Sequence, residues 1–148
     1  MDKILEQIRA GFPIDEKRLR SYGALSFAYI GDCVYDLVIR TMIVSREYER
    51  PGHYHEKTIS YVNAAAQTRM MKAIRPLLTQ EERKIYKRGK NAKPLSQAKN
   101  QTPHDYRVAT GFEALIGYLF LSWRQDRILE LIGYGLEEEE KDTWHTKK

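Results

Sequence analysis

Two acidic residues lie within the two most apolar stretches of the sequence, where acidic side chains are uncommon. Asp32 stands in the run Ala-Tyr-Ile-Gly-Asp-Cys-Val-Tyr (28–35), and Glu113 stands in Gly-Phe-Glu-Ala-Leu-Ile-Gly-Tyr (111–118). Burying an ionised carboxylate without a partner is costly, so such residues usually pair, bind a metal ion or line a cleft. Asp36 follows Asp32 by four residues, which places both on one face of a helix. The pattern predicts a carboxylate site.

Carboxylates gathered in this way suit a hard divalent cation. Mg²⁺ binds a few carboxylate oxygens, keeps several water molecules and completes its shell with phosphate oxygens of a substrate. Like charges one helical turn apart repel each other, and a divalent cation would reverse the sign of that interaction. The favoured interpretation is a Mg²⁺ site held by Asp32 and Glu113, with Asp36 as a candidate outer contact. The alternative is a set of structural acids bonded to Arg40, Arg107 or backbone amides.

A glycine accompanies each of the two acids. Gly31 directly precedes Asp32, and Gly111 lies two residues before Glu113. Because a glycine inside a helix costs about 1 kcal/mol relative to alanine, we expect another backbone or a ligand to approach closely at both places.

Other motifs offer weaker chemistry. His53 and His55 lack the cysteines or acids that a zinc site needs at ligand spacing. The dipeptide His104-Asp105 occurs in HD phosphohydrolases, but the further ligands of that family are missing. Cys33 lies on an apolar helix and is expected to pack rather than react. The sequence has neither a GxGxxG motif nor a P-loop, which leaves those routes to nucleotide binding unsupported.

A basic segment lies between the two acidic motifs. Residues 83–99 contain seven Lys and Arg residues and no acid, whereas the whole 148-residue chain has a net charge of only +5. Gly89, Asn91 and Pro94 disfavour a helix and predict a loop at the centre of the segment. Such a loop can follow a nucleic-acid backbone and release its counterions, although a solvated charged loop is the alternative. The candidate binding residues are Arg83, Lys84, Lys87, Arg88, Lys90, Asn91, Lys93 and Lys99.

Helical periodicity dominates the chain and predicts an all-α fold. Apolar residues recur every three or four positions, whereas no stretch alternates as a strand would, and no Asn-Gly or Asp-Gly hairpin turn is present. Helices are predicted from a cap at Ser21 to about Met42, from near His53 to before Pro76, from a capping box at Thr79, from Thr102-Pro103, and from near Asp126 into a charged end.

Length and composition set the outer bounds. The 148 residues fit a single domain, 1–148, with a core at about 21–136 and a charged C-terminal tail. Apolar runs fall short of the roughly 20 residues of a membrane-spanning helix, so no membrane is expected. The N-terminus lacks the pattern of a signal peptide, and the lone Cys33 suits a reducing cytoplasm.

The acidic motifs and several others resemble those of the ribonuclease III family. Residues 28–36 are similar to its signature helix, which typically reads Leu-Glu-Phe-Leu-Gly-Asp-Ala-Val, and residues 110–117 to its second acidic motif. The resemblance is closest to the short branch, Mini-ribonuclease III, which lacks a double-stranded-RNA-binding domain. It extends from about Ser21 to Leu121. It also includes Tyr61-Val62-Asn63-Ala64 with Gln67, residues 88–93 and Tyr106-Arg107.

This resemblance implies a helical endonuclease domain in which Asp32 and Glu113 match the metal-binding acids. It implies Mg²⁺-dependent hydrolysis of double-stranded RNA, with Mn²⁺ as a substitute, by a homodimer that leaves 5′-phosphate and 3′-hydroxyl ends. The characteristic substrate of the branch is the precursor of large-subunit (23S) ribosomal RNA in the bacterial cytoplasm. The resemblance leaves open whether a ribosomal protein assists.

Two positions depart from the wider family. Ala28 and Thr110 stand where the full-length members have a glutamate and an aspartate, and both changes are typical of the short branch. They leave open a catalytically silent RNA-binding or ribosome-assembly protein on the same scaffold. An all-α nucleotide pyrophosphatase is a further alternative, but it needs a Glu-x-x-Glu motif on paired helices, which has no convincing place in this sequence.

Overall fold

A computed structural model describes residues 3–46, 51–93 and 102–146, and these residues form helices and their connections without a β-strand. The α-helices are α1 (Lys3–Gly11), α2 (Glu16–Ser21), α3 (Ala24–Arg46), α4 (Tyr54–Val62), α5 (Ala64–Ile74), α6 (Gln80–Lys90), α7 (Pro103–Leu121) and α8 (Gln125–Thr146). The all-α prediction is confirmed. Within the described ranges, no helix is long and apolar enough to cross a membrane.

Helix α7 is the centre of the fold, with α3, α5 and α6 packed around it. Its residues Phe112, Leu115 and Leu119 are completely buried, and the ring of Phe112 meets the ring of Tyr35 edge to face at 4.9 Å. Burying a side chain of this size contributes roughly 1.5–3 kcal/mol. The chain therefore places its second acidic motif on the helix that the rest of the molecule surrounds.

Helices α3 and α7 cross in direct backbone contact at two glycines. A Cβ atom added at Gly31 would lie 2.7 Å from the backbone nitrogen of Gly117 and closer still to the carbonyl oxygen of Glu113. A Cβ atom at Gly117 would lie 2.6 Å from the carbonyl carbon of Phe27. The predicted close approach at Gly31 is confirmed, and the approaching group is a backbone.

Gly111 is also explained by a neighbouring helix. A Cβ atom at Gly111 would lie 2.7 Å from the ring of Tyr86 on α6, and one at Gly89 would lie 2.8 Å from the Cα atom of Gly111. The prediction that Gly89 belongs to a loop is wrong. The α-helix continues to Lys90 because the missing side chain lets α6 pack tightly against α7.

Two helices begin at the N-cap residues that the sequence predicts. Thr79 and Glu82 form a capping box: the Glu82 N–H donates to Thr79 Oγ1 at 3.2 Å, and the Thr79 N–H donates to Glu82 Oε1 at 2.9 Å. The Asp105 N–H donates to Thr102 Oγ1 at 3.0 Å at the start of α7. Both predicted caps are confirmed.

Two other helix boundaries differ from the prediction. Ser21 is the last residue of α2 rather than the cap of α3, and its hydroxyl donates to the Arg18 carbonyl at 2.6 Å. The helix predicted from near His53 to Pro76 is divided at Asn63, whose side chain accepts from the Ala66 N–H at 2.8 Å and thereby starts α5. Helices α1 and α2 were not foreseen, because neither contains a buried residue.

The acidic run at 137–140 is not a purely solvated helix end. Glu139 pairs with Arg69 at 3.3 Å and Glu140 pairs with Arg46 at 2.9 Å, which connects α8 to α5 and α3. Both arginines and Glu140 are more than half exposed, and Glu139 is partly exposed, so each pair is worth at most about 1 kcal/mol.

A buried ion pair fastens α6 to α8. The Glu82 side chain is 2% exposed and accepts two hydrogen bonds from Arg127, both at 2.9 Å, and Arg127 also donates to the Leu77 carbonyl at 2.8 Å. Burial alone would raise the pKa of Glu82, but the Arg127 guanidinium and the Thr79 backbone outweigh it and hold that pKa below its usual value.

Arg127→Met should reduce the free energy of unfolding by about 3 kcal/mol, because it leaves Glu82 buried and unpaired. Urea denaturation at pH 7 measures the change. Arg124→Met is the matched control, since Arg124 pairs at 3.4 Å with the exposed Glu81 and should cost less than about 1 kcal/mol. Equal losses in the two variants would contradict a special role for the buried pair.

Candidate active site

The crossing of α3 and α7 brings the two sequence motifs together. Asp32 follows Gly31, whose α-carbon faces the carbonyl oxygen of Glu113 across the crossing. Glu113 in turn lies one helical turn before Gly117. The two acids therefore lie next to a close backbone contact between the two helices, which limits how far they can separate.

The Glu113 carboxyl interacts with that of Asp32 at the crossing of α3 and α7. Burial, a hydrogen bond between the Asp32 carboxyl and the protonated form, and charge repulsion from Asp32 together raise the pKa of Glu113 from 4.5 to about 8. The Gln67 side chain acts in the opposite direction, because its N–H group favours the ionised carboxylate. Near neutral pH and without a cation, the Glu113 carboxyl is therefore protonated in most molecules.

Such a site suits a divalent cation. A cation between the two carboxyl groups would displace the proton and remove the repulsion that raises the pKa. The oxygen donors have the hardness that Mg²⁺ prefers. In the described part of the chain, no group of three or more His, Cys, Asp or Glu residues could hold a metal ion. An ion at Asp32 and Glu113 would therefore keep water molecules or take phosphate oxygens in its remaining positions.

A buried amide completes the surroundings of Glu113. Gln67 on α5 is 2% exposed, and its Nε2 atom donates to the Val62 carbonyl at 3.0 Å. Its Oε1 atom is buried without a hydrogen-bond partner. No sequence motif assigns Gln67 a role of its own. The available signal was its spacing, because Gln67 shares the apolar face of α5 with Met70, Met71 and Ile74, where an uncharged polar side chain is unusual.

Asp36 points to a different partner. Its carboxylate accepts a hydrogen bond from Arg40 Nε at 2.7 Å, on the exposed side of α3. The structural alternative thus describes Asp36, whereas the neighbours of Glu113 are Asp32 and Gln67. A role for Asp36 at the metal stays a prediction.

Most of the candidate RNA-binding residues lie on or just after helix α6. Arg83, Lys84, Lys87, Asn91 and Lys93 are exposed. Lys90 is half-buried, and Lys99 lies outside the described residues. Because Gly89 packs against Gly111 and Ala114, the basic end of α6 adjoins the turn of α7 that carries Glu113.

Arg88 is exposed, but its guanidinium is bonded to another part of the protein. Its Nη2 atom donates to the Tyr22 carbonyl at 2.8 Å, and its guanidinium lies 5.9 Å from the centre of the Phe27 ring. These contacts connect α6 to the start of α3. Arg88 therefore has a structural role that the charge pattern did not reveal.

An exposed apolar face runs along α3. Tyr29, Leu37 and Val44 are 84%, 62% and 60% exposed, and Cys33 between them is exposed as well. Their spacing places them on one side of the helix, next to Asp32. Scattered exposed apolar side chains are normal, but several of them on one side of a helix are typical of an interaction surface.

Comparisons with known proteins agree with this architecture. The family model of the ribonuclease III domain matches residues 25–123, which include both acids. A Mini-ribonuclease 3 from Clostridium tetani is 42% identical over 82% of this chain and 82% of its own length. One from Enterococcus faecalis is 41% identical over 80% and 92%.

A solved structure supports the fold. The crystal structure of a protein from Fusobacterium nucleatum superposes with a TM-score of 0.71 and 30% identity, over 82% of this chain and 97% of the other. The family match spans most of the chain and contains the crossing of α3 and α7. The chain belongs to the Mini-ribonuclease 3 branch of the ribonuclease III family.

Proposed function

We propose that this protein is a Mg²⁺-dependent endoribonuclease that cuts double-stranded RNA and leaves 5′-phosphate and 3′-hydroxyl ends. Membership of the ribonuclease III family supports the endoribonuclease activity. The observation that carries the metal dependence is the pairing of the Asp32 and Glu113 carboxyls at the crossing of α3 and α7.

Asp32 and Glu113 would hold Mg²⁺ through their carboxylate oxygens. When bound, the ion lowers the pKa of a water molecule and neutralises charge that develops on the phosphate. Glu113 must be ionised for this task, and the Gln67 amide favours that state. The tight backbone contact at Gly31 and Gly117 keeps the two acids close to each other before the substrate arrives.

The basic side of α6 would hold the RNA. An A-form duplex is recognised by its shape, through phosphates and 2′-hydroxyls, rather than through a readable major groove. Lys84, Lys87 and Lys93 are exposed on or just after the helix that packs against the Glu113 turn. They can therefore reach a backbone whose scissile phosphate lies at the acids.

Alanine at Lys84, Lys87 and Lys93 should weaken duplex binding at low salt by reducing the number of released counterions. We expect the slope of log K against log salt concentration to fall in size by roughly 0.7–0.9 for each lysine. Fluorescence anisotropy in Ca²⁺ buffer at several salt concentrations measures the slope. Lys17→Ala on α2 is a matched control for an exposed lysine outside the basic segment, and an unchanged slope in the triple variant would contradict the assignment.

A homodimer fits the apolar face of α3. Two copies packed through Tyr29, Leu37 and Val44 would bury exposed apolar side chains and place two sites near one duplex. Leu37→Lys should shift the protein from dimer to monomer, because it puts a charge into that interface. Light scattering measures the mass. Leu129→Lys, at an equally exposed leucine of α8 (57%), should leave the mass unchanged, and a dimer that survives Leu37→Lys would contradict this interface.

The substrate that we favour is the precursor of 23S ribosomal RNA in the bacterial cytoplasm. The branch to which the chain belongs supports this choice. We also expect Mn²⁺ to replace Mg²⁺, because both are bound by carboxylate and water oxygens.

The test is a cleavage assay with an end-labelled RNA duplex. Addition of Mg²⁺ should start the cleavage, EDTA should stop it, and Mn²⁺ should restore it, whereas the separated single strands should remain intact. Cleavage that continues in EDTA would disprove the metal dependence. Absence of cleavage with every duplex and both ions would favour the silent RNA-binding alternative.

A further inference from the structure

We propose that Gln67 is a positioning residue of the metal site, which holds the Glu113 carboxylate through its amide N–H and offers its amide oxygen to a water molecule at the site. This inference rests on the proposed metal-dependent function. It adds a neutral third side chain to a site that is otherwise made of acids.

The first argument is the burial of Gln67 together with its fixed orientation. The side chain is 2% exposed and lies on α5, which packs against α7. Nε2 donates to the Val62 carbonyl at 3.0 Å, at the end of α4. Because Asn63 caps the next helix, the backbone at this junction is itself held in place. The amide group is therefore anchored before any ligand arrives.

The second argument is the unpaired amide oxygen. Buried polar atoms nearly always have a hydrogen-bond partner, and each exception requires an explanation. In the described residues, Gln67 Oε1 is one of the few buried side-chain atoms without such a partner. The amide also lies beside the Glu113 side chain, for which it is a hydrogen-bond partner, where α5 packs against α7. An acceptor oxygen without a partner beside a carboxylate pair is well suited to receive a hydrogen bond from water.

The third argument is the small number of acids. No cluster of three or more metal-binding side chains occurs among the described residues, and Ala28 and Thr110 supply no carboxylate. Thr110 Oγ1 donates to the Tyr106 carbonyl at 2.9 Å. A cation held by two carboxylates keeps several water molecules, and these need acceptors in the protein. Gln67 provides one beside Glu113.

The decisive experiment measures Mn²⁺ binding to the protein without RNA, by electron paramagnetic resonance of the free ion. Gln67→Met keeps the length of the side chain and removes both hydrogen-bonding groups. We expect the dissociation constant for Mn²⁺ to rise about 10-fold or more, as for other residues that orient metal ligands. Thr58→Val is the matched control, because Thr58 is also buried (3% exposed) but donates to the Tyr54 carbonyl within its own helix.

The outcomes separate this inference from the proposed function. If Glu113→Gln weakens Mn²⁺ binding but Gln67→Met leaves it within twofold of the wild type, the role of Gln67 is disproved and the metal site stands. If Glu113→Gln also has no effect, the metal site itself is disproved.

A second measurement distinguishes the loss of a positioning residue in Gln67→Met from a folding defect in the same variant. Cleavage by Gln67→Met should recover at saturating Mn²⁺, whereas a folding defect would persist at every concentration of the ion. Should Gln67→Met fail to fold, Gln67→Asn replaces it, because its amide is one methylene too short to contact Val62 and Glu113 together. Wild-type Mn²⁺ affinity in that variant would overturn the inference.

Discussion

Glu113→Gln is expected to abolish most of the cleavage activity and, at the same time, to stabilise the metal-free protein. The rate should fall by about 10³-fold, which corresponds to about 4 kcal/mol of transition-state stabilisation. The substitution removes the charge that a cation needs but keeps the size of the side chain. Both effects have one cause. The ionised Glu113 carboxylate is needed to bind the cation, but it destabilises the folded protein when no cation is bound.

The sign of the stability change follows from the pKa. In the folded protein the pKa of Glu113 is raised to about 8, against 4.5 for an ordinary glutamate. Between these two pH values the unfolded chain has lost the proton while the folded protein still binds it. The contribution of Glu113 to the free energy of unfolding is therefore fully present below about pH 4.5 and is lost as the pH rises towards and through 8. Glutamine does not titrate and escapes this loss.

We expect Glu113→Gln to raise the free energy of unfolding at pH 7.5 by about 2 kcal/mol in the presence of EDTA. Each unit of pKa shift can change the free energy of unfolding by about 1.4 kcal/mol. The expected gain is smaller than the full shift would give, because the Glu113 side chain keeps some contact with solvent. Urea titrations at pH 5 and pH 7.5 measure the change. Glu137→Gln, an exposed residue of α8, is the control and should change neither activity nor stability.

The same ionisation predicts how metal binding depends on pH. The Glu113 carboxyl must lose its proton when a cation binds, so Mg²⁺ affinity should increase between pH 6 and pH 8. If Glu113→Gln is less stable than the wild type at pH 7.5, or if it retains the wild-type cleavage rate, the description of this site is wrong.

Gly31→Ala is expected to destroy the site although it changes neither acid. A methyl group at Gly31 would lie 2.7 Å from the Gly117 nitrogen and even closer to the carbonyl oxygen of Glu113. Backbone atoms cannot move aside as a flexible side chain can, so α3 must shift along or away from α7. We expect a loss of at least about 3 kcal/mol in the free energy of unfolding, typical of severe overpacking in a core.

Gly133→Ala is a well-matched control for this experiment. Gly133 lies in the interior of α8, and a Cβ atom added there meets nothing within 4 Å. The same substitution should therefore stabilise the protein by up to about 1 kcal/mol, because alanine has the higher helix propensity. Thermal denaturation followed by circular dichroism, together with the cleavage assay, compares the two variants. A Gly31→Ala protein with wild-type stability would contradict the close crossing of α3 and α7.

The sequence by itself determined the helical class, several helix starts and the identity of the two acids. Helix periodicity and capping depend on neighbours three or four residues away, so they can be read from a linear pattern. Thr79 and Thr102 illustrate this, because the hydrogen bonds of both caps stay within one helical turn. The two acids could be identified because they interrupt apolar runs of the sequence. The glycine near each of them predicted that another group approaches closely.

The tertiary structure decided what those residues meet. Asp32 and Glu113 are 81 positions apart in the sequence, and their proximity depends on the contact of α3 with α7 at Gly31 and Gly117. Long-range packing also kept Gly89 in a helix. Contacts between distant elements also let Arg88 donate to the Tyr22 carbonyl. They bury Gln67 beside Glu113 and leave its amide oxygen without a hydrogen-bond partner. The physical reason is that burial and electrostatic coupling arise between elements that are distant in sequence, so no local pattern contains them.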